Sequence, residues 1–250
     1  MTGIDEPGAG KQGSRIGGRR QPASRLRSHG DATDAGAEPS LRGDLTNLYR
    51  ELYRRGLNAG SAGNVSHRIG SAMIITPSGC SAETLVAEAL VAMTLGGEVK
   101  GSTTPSSEWA MHAAIYLAYP SAQCIVHTHA DACTALACLN EGLPAFHYMV
   151  ANFGGDDVRC APYATFGTPE LARLAVAGLA GRTACLLANH GMIVHAAGPD
   201  RALTAAVVLE TLCRQYLLAR SAGTVRLLNA REIRAAQERY RSYGQAANRG

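Results

Sequence analysis

Cys124-Ile125-Val126-His127-Thr128-His129 is the stretch on which the reading of this chain turns. Three apolar residues, two of them β-branched, predict a short buried strand. It ends on two histidines two positions apart. Side chains two apart on a strand share a face, so the imidazoles of His127 and His129 point one way and Thr128 the other. A second apolar run, residues 184–188, ends in Asn189-His190-Gly191. Three imidazoles with an open fourth position are a common ligand set of a catalytic zinc ion. A histidine taken singly is more often a satisfied core or surface residue, and His67, His112 and His195 are read that way. A His-x-His at one strand end, with a third histidine before a glycine at another, favours the metal.

Outward from this stretch, helices alternate with short strands. Leu45, Leu48, Tyr49 and Leu52 recur at helical spacing up to Gly56. Residues 65–69 and 73–76 read as strands, 83–89 as a helix and 90–94 as a strand. Ser106 or Ser107 caps a helix that runs past Trp109, Ala113 and Ile115 until Pro120 stops it. Residues 130–139 form the next helix, 144–150 are extended, and 158–162 extend again. Thr168-Pro169 opens a further helix. Residues 192–195 make another strand, and 200–221 and 232–240 are the last two helices. This alternation predicts an α/β sandwich.

Of the 250 residues, 46% are hydrophobic and 18% charged, enough for one domain with a large core. Residues 1–40 hold almost no large apolar side chains and are expected to form a disordered extension, with the folded domain over 41–250. The net charge is +4 and aromatics are only 5%, which excludes a dense basic and aromatic nucleic-acid surface. Seven cysteines, an odd number without a CxxC pair, do not form a disulfide framework. Cys124, Cys133, Cys138 and Cys185 sit in apolar runs and read as core residues. No signal-type segment or uninterrupted membrane span is expected, so the protein is read as soluble and cytoplasmic.

Glu108 follows Ser106-Ser107 at a helix start, where the helix dipole favours a carboxylate. It fits a capping-box glutamate, and it also fits a general base held beside the metal. Three turns, Ser61-Ala62-Gly63-Asn64, Ser78-Gly79 and Ser106-Ser107, offer small donors that can approach an anion such as phosphate. Each alone is a weak signal, because these residue types build turns everywhere. No Walker-type sequence is present, so a nucleotide is not indicated.

Taken together, the segments Gly60-Ser-Ala-Gly-Asn-Val-Ser66, Ile75-Thr-Pro-Ser-Gly79, Pro105-Ser-Ser-Glu-Trp109, Val126-His-Thr-His129, Pro144-Ala-Phe-His-Tyr-Met149, Cys160-Ala-Pro-Tyr-Ala-Thr-Phe-Gly-Thr168 and Asn189-His-Gly191 resemble the class II aldolase/adducin family. Within it they are most similar to the branch acting on L-fuculose 1-phosphate. The resemblance implies a three-layer α/β/α sandwich around a largely antiparallel sheet. It implies one zinc ion per subunit on His127, His129 and His190, with Glu108 as fourth ligand and then as base once substrate displaces it. It implies that Ser61, Asn64, Ser78, Gly79, Ser106 and Ser107 hold the phosphate, Ser61 standing where the closest relatives carry Thr. Tyr148 would be an acid/base group supplied across a subunit interface. Phe166, Tyr240 and Tyr243 would close over the aldehyde end, Tyr240 standing where Phe is common. The family forms homotetramers with sites between subunits.

The expected activity is therefore that of a metal-dependent aldehyde-lyase of carbohydrate metabolism. It would cleave a ketose 1-phosphate to dihydroxyacetone phosphate and a small aldehyde such as lactaldehyde. The only lysines, Lys11 and Lys100, lie in the extension and in a loop, so no Schiff-base lysine is evident and a metal supplies the electron sink. Alternatives within the superfamily are an aldolase for a 5-deoxypentulose or methylthiopentulose 1-phosphate, a pentulose-phosphate 4-epimerase, and a methylthioribulose-phosphate dehydratase. A non-catalytic adducin-like scaffold is less consistent with the presence of all three histidines, Glu108 and Tyr148.

Overall fold

A computed structural model of the chain describes residues 38–242. Its centre is an eight-stranded sheet in the order β4-β3-β2-β1-β5-β8-β7-β6. The strands are β1 (Asn64–Ile69), β2 (Ala72–Ile75), β3 (Val91–Thr94), β4 (Val99–Lys100), β5 (Cys124–Thr128), β6 (Cys160–Ala161), β7 (Ala184–Leu187) and β8 (Gly191–Ala196). Every pairing is antiparallel except β6 with β7. The helices are α1 (Glu38–Arg54), α2 (Trp109–Ala118), α3 (Asp131–Cys138), α4 (Pro169–Gly178), α5 (Pro199–Ala222) and α6 (Ala230–Ser242).

The period of two along each strand sorts the core into two faces. Val65, Ile74, Cys124, Val126, Met192 and Val194 point to the side covered by α1, α3 and α5. Met73, Ile75, Ile125, Cys185, Leu187 and Ile193 point to the side covered by α2 and α4. The three-layer sandwich and the largely antiparallel sheet are thus as expected. His127 follows Ile125 by two and so faces α2.

Several local expectations change. Residues 83–89 do not form an α-helix. The Ser81 and Thr84 hydroxyls bond each other and nearby backbone in a single turn, Val86 is extended, and only a 3₁₀ helix at Ala87–Ala89 remains. Residues 144–150 are not one extended run: the chain bends over 145–147, the Phe146 N–H donating to the Pro144 carbonyl at 2.7 Å, before the extended backbone of His147. Its ring accepts from the Met149 N–H at 3.2 Å and caps a 3₁₀ helix, Tyr148–Phe153. The edge strand β4 was not anticipated, being two exposed residues with no apolar pattern.

Cys124, Cys133 and Cys185 are buried as expected, but Cys138 at the end of α3 is exposed. Helix α1 starts at Glu38, within the segment read as an extension. Arg42 fastens that first turn, pairing with Glu38 at 2.8 Å and donating to the Leu90 carbonyl at 2.6 Å. The rest of that segment, residues 1–37, lies outside the described residues. Helix α5 has 24 residues, and an 18-residue window in it has a mean hydropathy of 1.3, long and apolar enough to cross a membrane by length and composition alone; as expected, the stretch is not free of charges, since Glu210 and Arg214 lie within it. Here its apolar side, with Ala202, Ala206, Leu209 and Leu212, is buried against the core of the sandwich.

Candidate metal centre and its cavity

The register of the sheet brings the histidines together. His127 stands opposite Asn64 on β1 and Ile193 on β8. His129 lies one residue past β5, and His190 one residue before β8. The turn into β8 needs its small residues. Asn189 has φ of 55°, a left-handed conformation that asparagine tolerates. A Cβ on Gly191 would sit 2.4 Å from the Thr128 carbonyl oxygen, so the backbones meet only because residue 191 is glycine. The three rings pack edge to face with centroids 4.8–4.9 Å apart.

Glu108 completes the group from the start of α2. It occupies the N-cap position, yet its side chain makes no capping bond. Ser106 takes that local role, its Oγ accepting from the Glu108 N–H at 3.3 Å. The carboxylate turns inward instead. Oε2 lies 2.9 Å from His127 Nε2, and Oε1 lies 3.5 Å from His190 Nε2.

These residues fit a divalent metal. One donor atom from each of Glu108, His127, His129 and His190 lies within 4.8 Å of all the others. Glu108 Oε1 is buried without a hydrogen-bond partner. His127 donates from Nδ1 to the Met192 carbonyl at 2.9 Å, which orients the ring with Nε2 facing the group. Burial, then the neighbouring His127, pushes His129 and His190 down to about 4, so both are neutral ligands near pH 7. Burial alone would raise the Glu108 carboxyl. His127, His190 and the Asn64 amide outweigh it and hold the group well below the usual carboxylate range.

The group forms one wall of a cavity of about 360 Å³. All three anticipated turns line it, through Ser61, Asn64, Ser78, Gly79, Ser106 and Ser107. Two of them are clamped together. Pro77 and Pro105 form an isolated bridge, the Ser78 N–H donates to Thr104 and the Ser106 N–H to Thr76, each at 3.0 Å. The third depends on Gly63, whose φ is +74° and whose added Cβ would lie 2.3 Å from Asn58 Oδ1.

Phe166 lines the same cavity and is 65% exposed. Tyr163 lines it too, although sequence reasoning passed over it inside the 160–168 segment, where an exposed aromatic carries no spacing signal. Tyr148 and Tyr240 are not brought to this cavity. They stack on each other, centroids 6.2 Å apart, in a separate cavity beneath α6. Tyr243 lies outside the described residues.

Comparison with known proteins agrees with this architecture. The family described as Class II Aldolase and Adducin N-terminal domain matches residues 43–217. A 5-methylthioribulose-1-phosphate/5-deoxyribulose-1-phosphate aldolase of Rhodospirillum rubrum is 43% identical over 212 residues, covering 85% of this chain and 96% of that protein. An L-fuculose phosphate aldolase of Escherichia coli strain K12 is 42% identical over 195 residues, covering 78% and 91%. Among solved structures, an L-fuculose 1-phosphate aldolase superposes with a TM-score of 0.78 at 36% identity, over 86% of this chain and all of that one.

Proposed function

This chain belongs to the class II aldolase and adducin family, and from that footing we propose that it is a zinc-dependent aldolase cleaving a ketose 1-phosphate to dihydroxyacetone phosphate and a short aldehyde. The observation that carries the reading is Glu108. A capping role would leave its carboxylate at the helix end. Instead it is buried against His127 with one oxygen unpartnered, at the wall of a cavity that three small-residue turns also line.

His127, His129 and His190 would hold the ion, with Glu108 as the fourth ligand at rest. Three imidazole nitrogens and one carboxylate oxygen are ligands that zinc favours. When bound, the metal supplies Lewis acidity at the ketose carbonyl and at the charge left on the three-carbon fragment. Ser61, Asn64, Ser78, Gly79, Ser106 and Ser107 would seat the phosphate, placing C3 near Glu108. In cleavage the C3–C4 bond breaks as the C4 hydroxyl loses its proton, and Glu108 would deliver a proton to C3 in its place. Tyr148, in this reading, takes the proton of the C4 hydroxyl. It is 53% exposed and lies away from the cavity of its own chain, and is proposed to be supplied by a second copy. The proposed assembly is the homotetramer that the family resemblance implies, with shared sites. All seven cysteines are free, which suits the cytoplasm.

The aldehyde end is proposed to carry an apolar terminus. L-Fuculose 1-phosphate, 5-deoxyribulose 1-phosphate and 5-methylthioribulose 1-phosphate yield lactaldehyde, acetaldehyde and methylthioacetaldehyde, which all end in a methyl or methylthio group. The exposed rings of Tyr163 and Phe166 suit such a group at the cavity mouth. The test is synthesis from dihydroxyacetone phosphate at fixed concentration with a panel of aldehydes. The reading expects turnover with these three above that with glycolaldehyde. Preference for the hydroxylated aldehyde contradicts the apolar-end assignment. No carbon–carbon bond formation with any aldehyde contradicts the aldolase.

A further inference from the structure

Behind Glu108 runs a line of buried polar groups that alternates between α2 and β1. Asn64 Nδ2 donates to Glu108 Oε2 at 3.3 Å. His112 Nε2 lies 2.6 Å from Asn64 Oδ1. Ser66 Oγ lies 2.7 Å from His112 Nδ1 and 2.8 Å from the Tyr116 hydroxyl. Ser66, His112 and Tyr116 are fully buried.

The alternation has a geometric basis. Residues 108, 112 and 116 are one per helical turn, about 6 Å apart along the axis. Residues 64 and 66 are same-face neighbours on a strand, about 6.8 Å apart. The two repeats nearly match, so one helix face and one strand face interlock.

Chemistry fixes the direction of every bond. An ionised carboxylate only accepts, so the Asn64 amide nitrogen must face Glu108. Its oxygen then faces His112, which must donate from Nε2. That leaves Nδ1 as an acceptor for the Ser66 hydroxyl, and Ser66 as an acceptor for Tyr116. Each donor points toward Glu108. Burial pushes His112 down to about 3, so the ring is neutral near pH 7, as this order requires.

We propose that Asn64, His112, Ser66 and Tyr116 form a positioning relay that locks the Asn64 amide with its nitrogen toward Glu108 and so holds that carboxylate against the histidine cluster. A reversed Asn64 amide would set its oxygen against the carboxylate. His112 is thus a positioning residue that touches no substrate. The inference rests on the role proposed for Glu108, and adds the parts that keep it in place.

The test compares His112→Leu, His112→Gln and Ser66→Ala with the parent, by zinc affinity in chelator competition, by kcat, and by the ring tautomer of His112 in nitrogen-15 NMR. A glutamine places its amide nitrogen near the position of Nε2 and keeps the donor. The parent should show a single neutral Nε2–H tautomer at pH 7. His112→Leu should lose roughly 10–100-fold in zinc affinity or kcat, the usual cost of removing support behind a metal ligand, while His112→Gln keeps most of both. Ser66→Ala should mix the tautomers of His112 and lower zinc affinity or kcat in the same direction. A folded His112→Leu with parental zinc affinity and kcat overturns the relay. So does His112→Gln as impaired as His112→Leu, which would mean simple core packing. If His112→Leu does not fold, Ser66→Ala and the parent spectrum decide: an Nδ1–H or charged ring in the parent overturns the relay. Zinc affinity and tautomer do not depend on the sugar. A parent inactive on every ketose phosphate would therefore fail the aldolase reading while leaving this comparison intact.

Discussion

The cluster at the centre of the sheet and the aromatic groups at its margin are built on opposite principles. His127 and Glu108 are almost wholly buried, and each is pinned by a strand register or a helix start. Tyr148, Tyr163 and Phe166 are each more than half exposed and sit on a 3₁₀ helix or in loops. The first region cannot move a side chain without breaking buried hydrogen bonds. The second can exchange side chains with little effect on the fold. In the proposed function, the chemistry common to the family lies in the first region and the choice of aldehyde in the second.

Mutations at the centre should therefore cost the most. His127→Ala removes the ring joined to Glu108 and to the Met192 carbonyl. It is expected to abolish stoichiometric zinc, measured by elemental analysis, and with it all detectable turnover. Retained zinc near one per chain would break the assignment of the ligands. Glu108→Gln is expected to keep the ion through the three histidines but to lose roughly 10²–10⁴ in kcat. Near-parental kcat in that variant would remove Glu108 as the base.

Gly63→Ala tests the phosphate end. Its Cβ would meet the Asn58 amide in a left-handed backbone position. A loss of about 1–3 kcal/mol in stability is expected from such strain, together with a raised KM for dihydroxyacetone phosphate. Unchanged melting temperature and KM would show that the turn relaxes freely.

The pH dependence of the metal-free protein sharpens the comparison further. His112 lies at about 3, and His129 and His190 at about 4, against 6.5 for an exposed imidazole. Between these values the unfolded chain binds protons that the fold refuses. Stability is then fully present above about pH 6.5 and falls as pH drops towards 3–4. Melting curves of chelated protein should shift down from pH 7.5 to pH 5. A rise over that interval contradicts the buried, neutral state of these rings. The smallest effect belongs to the margin. Tyr163→Ala or Phe166→Ala should leave zinc content unchanged and alter the ratio of kcat/KM between aldehydes by roughly 10-fold. An equal drop for all aldehydes would move those rings from selection to a general role.

The same contrast explains what the sequence made legible. His127 and His129 were readable because a strand has a period of two, and His190 because a histidine before a glycine ended a second apolar run. Glu108 stayed divided between cap and base, since both uses place a glutamate just after serines. Only the inward turn of its side chain, with Ser106 bonding its N–H, separates them. The sequence pattern alone makes His112 an ordinary core or surface histidine. Its significance lies in Asn64 and Ser66, 48 and 46 positions away, which only the pairing of β1 with α2 reveals. The helix expected at residues 83–89 failed because the hydroxyls of Ser81 and Thr84 competed for the backbone. The stacking of Tyr148 on Tyr240 of α6 had no periodic signal at all.

The central claim is metal-dependent cleavage to dihydroxyacetone phosphate. It is tested most directly by following that product from L-fuculose 1-phosphate and 5-deoxyribulose 1-phosphate with a coupled reductase. The protein would be assayed as purified, after chelation, and after zinc is restored. The account predicts product formation that disappears on chelation and returns with zinc. Product that persists unchanged in protein shown to be metal-free, or no product from either sugar at full zinc occupancy, would contradict it.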